Sequence, residues 1–159
     1  MKKSLLALLL LGCTQAQAQE VDITLTLPGG TQYRPYVAVW VEDAQQKSVN
    51  TLAVWSKEDD WLKDMRRWWR KAGRYDGGEL DAVTSATRKP GQYQLSWDGT
   101  DQSGQPVAPG TYIINVEASR EHGNRSLVRQ RIQLGAEAAR YHLKPTEELG
   151  DIIISTGAP

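Results

Sequence analysis

The chain is short of the residues that most often carry chemistry. Its 159 residues include one cysteine, two histidines and no phenylalanine. The cysteine, Cys13, stands near the N-terminus. Everything beyond it therefore has no thiol chemistry, no disulfide and no cysteine metal site. His122 reads as a turn residue and His142 falls in the C-terminal segment, with no ligand spacing between them. No Ser-His-Asp arrangement, phosphate-binding glycine loop or zinc motif occurs. Glu117, Glu121 and Asp101 are not paired at a catalytic spacing. Excess charge of one sign is lacking too, since 19 basic residues face 19 acidic ones. Nucleic acid, which needs a basic face, is not an expected partner. The apolar run Leu5 to Leu11 is too short to span a bilayer.

That run has another use. Lys2-Lys3 precede it and Ala16-Gln17-Ala18 follow it. These are the basic, apolar and small-residue regions of a secretory signal peptide, expected over residues 1–18. Export to the periplasm follows. Leu10-Leu11-Gly12-Cys13 also resembles a lipobox, so lipid anchoring through Cys13 is the other way to read the same stretch. Loss of Lys2 and Lys3 leaves 17 basic against 19 acidic residues.

What remains, residues 19–159, has the length of one domain and enough chain to bury a core without staples. Val21 to Leu27 alternates apolar and polar residues, the pattern of a half-buried strand. Tyr36 to Glu42 and Thr51 to Trp55 read as strands joined in a hairpin across a polar turn. Gln92 to Trp97, Thr111 to Ala118 and Ser126 to Leu134 read as three more. Tyr141–Leu143 and Asp151–Ser155 are candidates for short ones. Between the third and fourth strands the period changes. Trp61, Leu62, Met65, Trp68 and Trp69 fall on one face of a helix expected from about Asp60 to Arg74. Lys63, Arg66, Arg67, Arg70 and Lys71 cover its other side. The expected fold is mainly β: an immunoglobulin- or fibronectin-like antiparallel β-sandwich with one inserted amphipathic helix. Its core is expected over about 21–135, with 136–159 as a C-terminal tail.

The segment Gly91 to Ala118 resembles the immunoglobulin-like domain of the flagellar hook-capping protein. The shared features are Trp97-Asp98-Gly99 closing one strand and Pro109-Gly110-Thr111-Tyr112 entering the next. Trp97 is expected in the core and Asp98-Gly99 at the turn. This likeness bears on fold and not on function. Val21 to Leu134 as a whole resembles a family of small bacterial periplasmic proteins with no established activity. The marks are Val39-Trp40-Val41-Glu42-Asp43, the Trp-rich helix, and Glu117 to Gly123.

The loop Asp81-Ala82-Val83-Thr84-Ser85-Ala86-Thr87 resembles the covalent flavin-attachment motif of extracytoplasmic flavoproteins, Asp-x-x-Ser-Gly-Ala-Thr. These include a subunit of the sodium-pumping quinone reductase. Thr84 stands where that motif has Ser, and Ser85 where it has Gly. The resemblance implies FMN joined to Thr87 by a phosphoester, installed by a flavin transferase that uses FAD and magnesium. Thr84, Ser85 and Ala86 would then be the small residues of the acceptor loop. Asp81 would orient the loop by bonding backbone amides. Arg88 and Lys89 would offset phosphate charge, and Trp68 or Trp69 would shield the ring. A membrane-bound reductase is the implied electron donor. The protein is then a periplasmic flavin carrier in electron transfer rather than an enzyme in its own right. The residues alone are equally ordinary loop material, and a non-catalytic interaction module of the envelope is the second reading.

Overall fold

A computed structural model describes residues 19–75 and 79–157. The expected signal segment and Cys13 lie outside them. Nine strands are present among the described residues: β1 (Val21–Leu27), β2 (Tyr36–Asp43), β3 (Ser48–Trp55), β4 (Thr84–Ser85), β5 (Gly91–Trp97), β6 (Gly110–Ser119), β7 (Arg125–Leu134), β8 (Ala139–Leu143) and β9 (Ile152–Thr156). They form two sheets, β5-β1-β9-β8 and β4-β3-β2-β6-β7. The pairing is antiparallel throughout, except that the short β4 lies parallel to β3. The protein is a β-sandwich.

Alternation in β1 explains the packing between the sheets. Val21, Ile23, Leu25 and Leu27 point inward with at most 2% of their surface exposed. They meet Val37, Val39 and Val41 of β2, Ile114 and Val116 of β6, and Ile132 of β7. Trp97 closes β5 inside this core, edge-on to Tyr112 at 5.2 Å between ring centroids. Its indole N–H donates to the carbonyl of Thr100 at 2.7 Å. The Asp98 carboxylate accepts from the Thr100 amide and hydroxyl, while Gly99 takes φ +74°. A side chain there would be strained, which is why glycine serves this turn.

Strand β2 is apolar at both parities, so it must be covered on both faces. Tyr36, Ala38 and Trp40 face away from the main core, and with Val54 they receive Met65 and Trp68 from the insertion. The insertion is thus a third layer on the outside of the five-stranded sheet.

It is not one helix from 60 to 74. A 3-10 turn (Asp59–Asp64), a short α-helix α1 (Arg66–Lys71) and a second 3-10 turn (Gly73–Tyr75) follow one another. The break falls at Met65, whose ψ of 70° is not helical. The cause comes from the sheet. The fully buried Glu117 carboxylate accepts from the amides of Arg67 at 3.2 Å and Trp68 at 2.8 Å. It caps a new helix there.

The stretch after residue 135 is not a tail. β9 lies between β1 and β8 in the middle of the four-stranded sheet. Leu149, Ile152 and Ile154 are wholly buried in the main core. The Glu148 carboxylate pairs with Arg120 and accepts from the Asn124 amide, pinning the 144–151 connection to the β6–β7 turn.

Candidate functional site

The motif loop lies at one end of the sandwich, where the chain leaves β3 and enters β5. A 3-10 turn, Glu79–Ala82, leads into β4, which adds to the edge of β3. The Val54 amide donates to the Val83 carbonyl at 3.0 Å, and the Ser56 amide to the Ser85 carbonyl at 2.8 Å. On the far side, the Tyr93 hydroxyl donates to the Lys89 carbonyl at 2.7 Å. The Tyr93 ring packs on Trp55 at 5.1 Å. Residues 86–90 bridge these two anchored ends, and all but Thr87 are exposed.

The three hydroxyls of the motif are placed differently. Thr84 Oγ1 donates to the Leu80 carbonyl at 2.8 Å. Ser85 Oγ accepts from the Arg88 guanidinium at 3.3 Å. Thr87 Oγ1 has no hydrogen-bond partner among the described residues. Thr87 is half-buried and lines an open cleft of about 370 Å³. Gln32, Tyr33, Arg34 and Tyr36 line it from the β1–β2 loop and the start of β2; Lys57 and Glu121 complete it. Burial pushes the Tyr36 phenol above its ordinary value, and the nearby Glu121, Glu58 and Asp64 carboxylates push the same way. Tyr36 is therefore neutral near pH 7.

Other expected roles are placed differently. Ser85 is in an extended strand, and positive φ among the described non-glycine residues occurs only at Gln46 and His122. The backbone at position 85 therefore needs no glycine in this state. Asp81 is exposed, and among the described residues its carboxylate bonds no amide. The Val83 amide and Thr84 hydroxyl hold the turn instead, both through the Leu80 carbonyl. Arg88 lies over Trp55 at 5.5 Å, and the cations lining the cleft are Arg34 and Lys57. Trp68 has no exposed surface and Trp69 tilts against it at 6.3 Å. The Trp68 ring is filling the layer under the insertion and has no face to offer a ligand.

Residues 18–151 match the family described as a predicted periplasmic protein, DUF2271. The chain belongs to that family. Neither a curated protein nor a solved structure matches it. This DUF2271 protein is accordingly periplasmic.

A second cluster in the DUF2271 chain escaped the sequence reading. Glu42 and Glu117 are wholly buried on the outer face of the five-stranded sheet, beneath the insertion. Glu42 accepts from the Trp40 indole at 3.0 Å, from Arg67 at 2.7 Å and from Arg129 at 3.2 Å. Glu117 accepts from Arg125 at 2.5 Å besides the two helix amides. Arg129 also donates to Asn115. Each carboxylate accepts from three donors. The arrangement fastens the third layer. The signal was available in retrospect: each acid shares its outward parity with residues of a strand buried on both faces.

Proposed function

We propose that this protein is a periplasmic flavin carrier, with FMN esterified to Thr87 and electrons passed between extracytoplasmic redox partners. The observation that carries the reading is the contrast among the three hydroxyls. Those of Thr84 and Ser85 are engaged within the loop, whereas that of Thr87 is unengaged among the described residues, and Thr87 lines an open cleft. An acceptor loop must offer one hydroxyl to another enzyme, on a tip free of regular pairing and held by a rigid base.

A threonine hydroxyl is a weak nucleophile and is activated by the transferase and its metal. Thr87 Oγ1 attacks the FMN-side phosphorus of FAD. The new bond is Thr87 Oγ1–P and the broken one is the pyrophosphate P–O bond. AMP leaves, and the hydroxyl proton passes to a base on the transferase. No electrons are exchanged in this step. The attached flavin then supplies the redox chemistry, and the protein supplies tether and access.

The test is coexpression in the periplasm with a flavin transferase known to load its own acceptor. The expected product carries one added FMN less one water and absorbs in the visible. Thr87→Ala abolishes both, and Thr84→Ala does not. An unmodified mass beside a loaded control acceptor overturns the carrier reading and leaves a non-catalytic envelope module.

A further inference from the structure

Resting on that reading, the geometry points to the cleft beside Thr87 as the seat of the attached flavin. In it, the ring lies against Tyr33 and the phosphodiester sits between Arg34 and Lys57.

Three features meet there and nowhere else among the described residues. The first is the unengaged Thr87 hydroxyl. The second is an exposed aromatic face: of the large apolar side chains described, only Tyr33 and Tyr75 are exposed, and Tyr33, at 38%, is the one lining this cleft. The third is a pair of cations, Arg34 and Lys57, on the same wall system.

Tyr33 is not loose. Its ring meets His122 edge-on at 5.7 Å, and the Thr31 hydroxyl donates to its carbonyl at 2.9 Å. A T-shaped contact occupies at most one face of the Tyr33 ring, and offset stacking on the other suits a planar heteroaromatic ring. Tyr36 is different. It is buried and stacked on Trp61 at 6.2 Å, so it forms the floor.

The volume, about 370 Å³, falls within the range of small-molecule sites. A phosphodiester keeps one negative charge, which Arg34 and Lys57 attract, although Lys57 already has the Glu58 carboxylate at 3.7 Å. The ribityl linker gives the ring several bonds of reach from the ester. Glu121 also lines the cleft, and its negative charge favours the anion nearer the two cations. The seat limits where the ring sits when a redox partner approaches.

The full chain, loaded with FMN by a coexpressed transferase, tests this. Intact mass reports attachment; flavin anisotropy and iodide quenching report seating. In the wild type the flavin is expected to tumble with the protein and resist iodide. Tyr33→Leu should load equally, yet lower the seated-to-free ratio about fivefold, the factor a single stacking contact carries. Tyr33→Phe keeps the ring and should restore seating. Lys57→Glu should loosen the flavin, most clearly at low salt. Arg140→Gln, on β8 of the other sheet, should change nothing.

If iodide reaches the wild-type flavin as easily as free FMN, the seat is wrong while attachment stands. Equal shielding in the wild type and Tyr33→Leu sinks it as well. If no variant gains mass beside a loaded control acceptor, attachment fails and the seat fails with it.

Discussion

Glu117 has no exposed surface, yet it is a charged side chain between a sheet and a helix. Its three donors explain how it is tolerated: Arg125 and the amides of Arg67 and Trp68. Truncation would leave the amides of Arg67 and Trp68 without their acceptor beneath the insertion, and the more exposed Arg125 without its partner. Glu117→Ala should therefore cost about 3–5 kcal/mol, the range for removing one partner of a buried pair. Glu117→Gln keeps the shape and one acceptor and should cost less, about 1–3 kcal/mol. Urea unfolding midpoints measure both, and an unchanged midpoint for the alanine variant would refute the capping role. Asp101 makes a pH-dependent case at the other end of the sandwich. The Ser103 hydroxyl first, then the Gln105 and Ser103 amides, hold its carboxyl below the ordinary carboxylate range. A lowered folded value means that the turn's stabilisation is complete above the unfolded value. It is lost as pH falls through the lowered one. Amide shifts of Ser103 and Gln105 should follow that low titration, and Asp101→Asn should remove it.

Among the elements, the insertion shows where sequence reading works and where it stops. Met65 and Trp68 form the buried side of the face that the helical period marks, with Trp61, Leu62 and Trp69 partly buried beside them. The period was legible because it records which side meets the sheet. The break at Met65 was not legible, because the cap comes from Glu117 on β6, far along the chain. The same limit applies to the basic face: Lys63, Arg66 and Arg70 are exposed, but Arg67 reaches the buried Glu42. The motif loop was legible as a short string, whereas the cleft beside it draws Tyr33, Lys57 and Glu121 from three separate loops. Gly73 gives a sharp test of packing in this layer. A Cβ there would sit 2.8 Å from two atoms of the Trp68 ring and one of the Trp69 ring. Rigid rings cannot bend away as a flexible side chain would. Gly73→Ala should therefore destabilise by about 1–3 kcal/mol through overpacking. That outweighs the gain of up to about 1 kcal/mol that alanine usually brings to a helical position. A thermal midpoint that rises would show that the insertion yields more easily than its contacts imply.

For the whole molecule, the decisive fact is that the last strand in sequence is a central strand in space. The six main strands were readable because each alternates or stays apolar over its length. β9 is short and follows a polar, Gly- and Pro-containing stretch, so pattern alone makes it an appendage. Pairing makes it structural: β9 bonds β1 along Val21–Leu25 on one side and β8 along its whole length on the other. A chain ending after Leu134 would lose Leu149, Ile152 and Ile154 from the core, and each is wholly buried. At about 1.5–3 kcal/mol for each buried aliphatic side chain, that is roughly 5–9 kcal/mol. A domain of this size has about 5–15 kcal/mol in all. The truncation would also bare one edge of β1 and leave the first sheet with two strands, β5 and β1. Two strands alone do not hold together in water. The shortened chain should therefore show no cooperative unfolding transition and should associate through the bared edge of β1. Near-ultraviolet circular dichroism and light scattering on the purified truncation would decide it. A monomeric, cooperatively melting product would mean that the face of β1 against the second sheet is sufficient without β9.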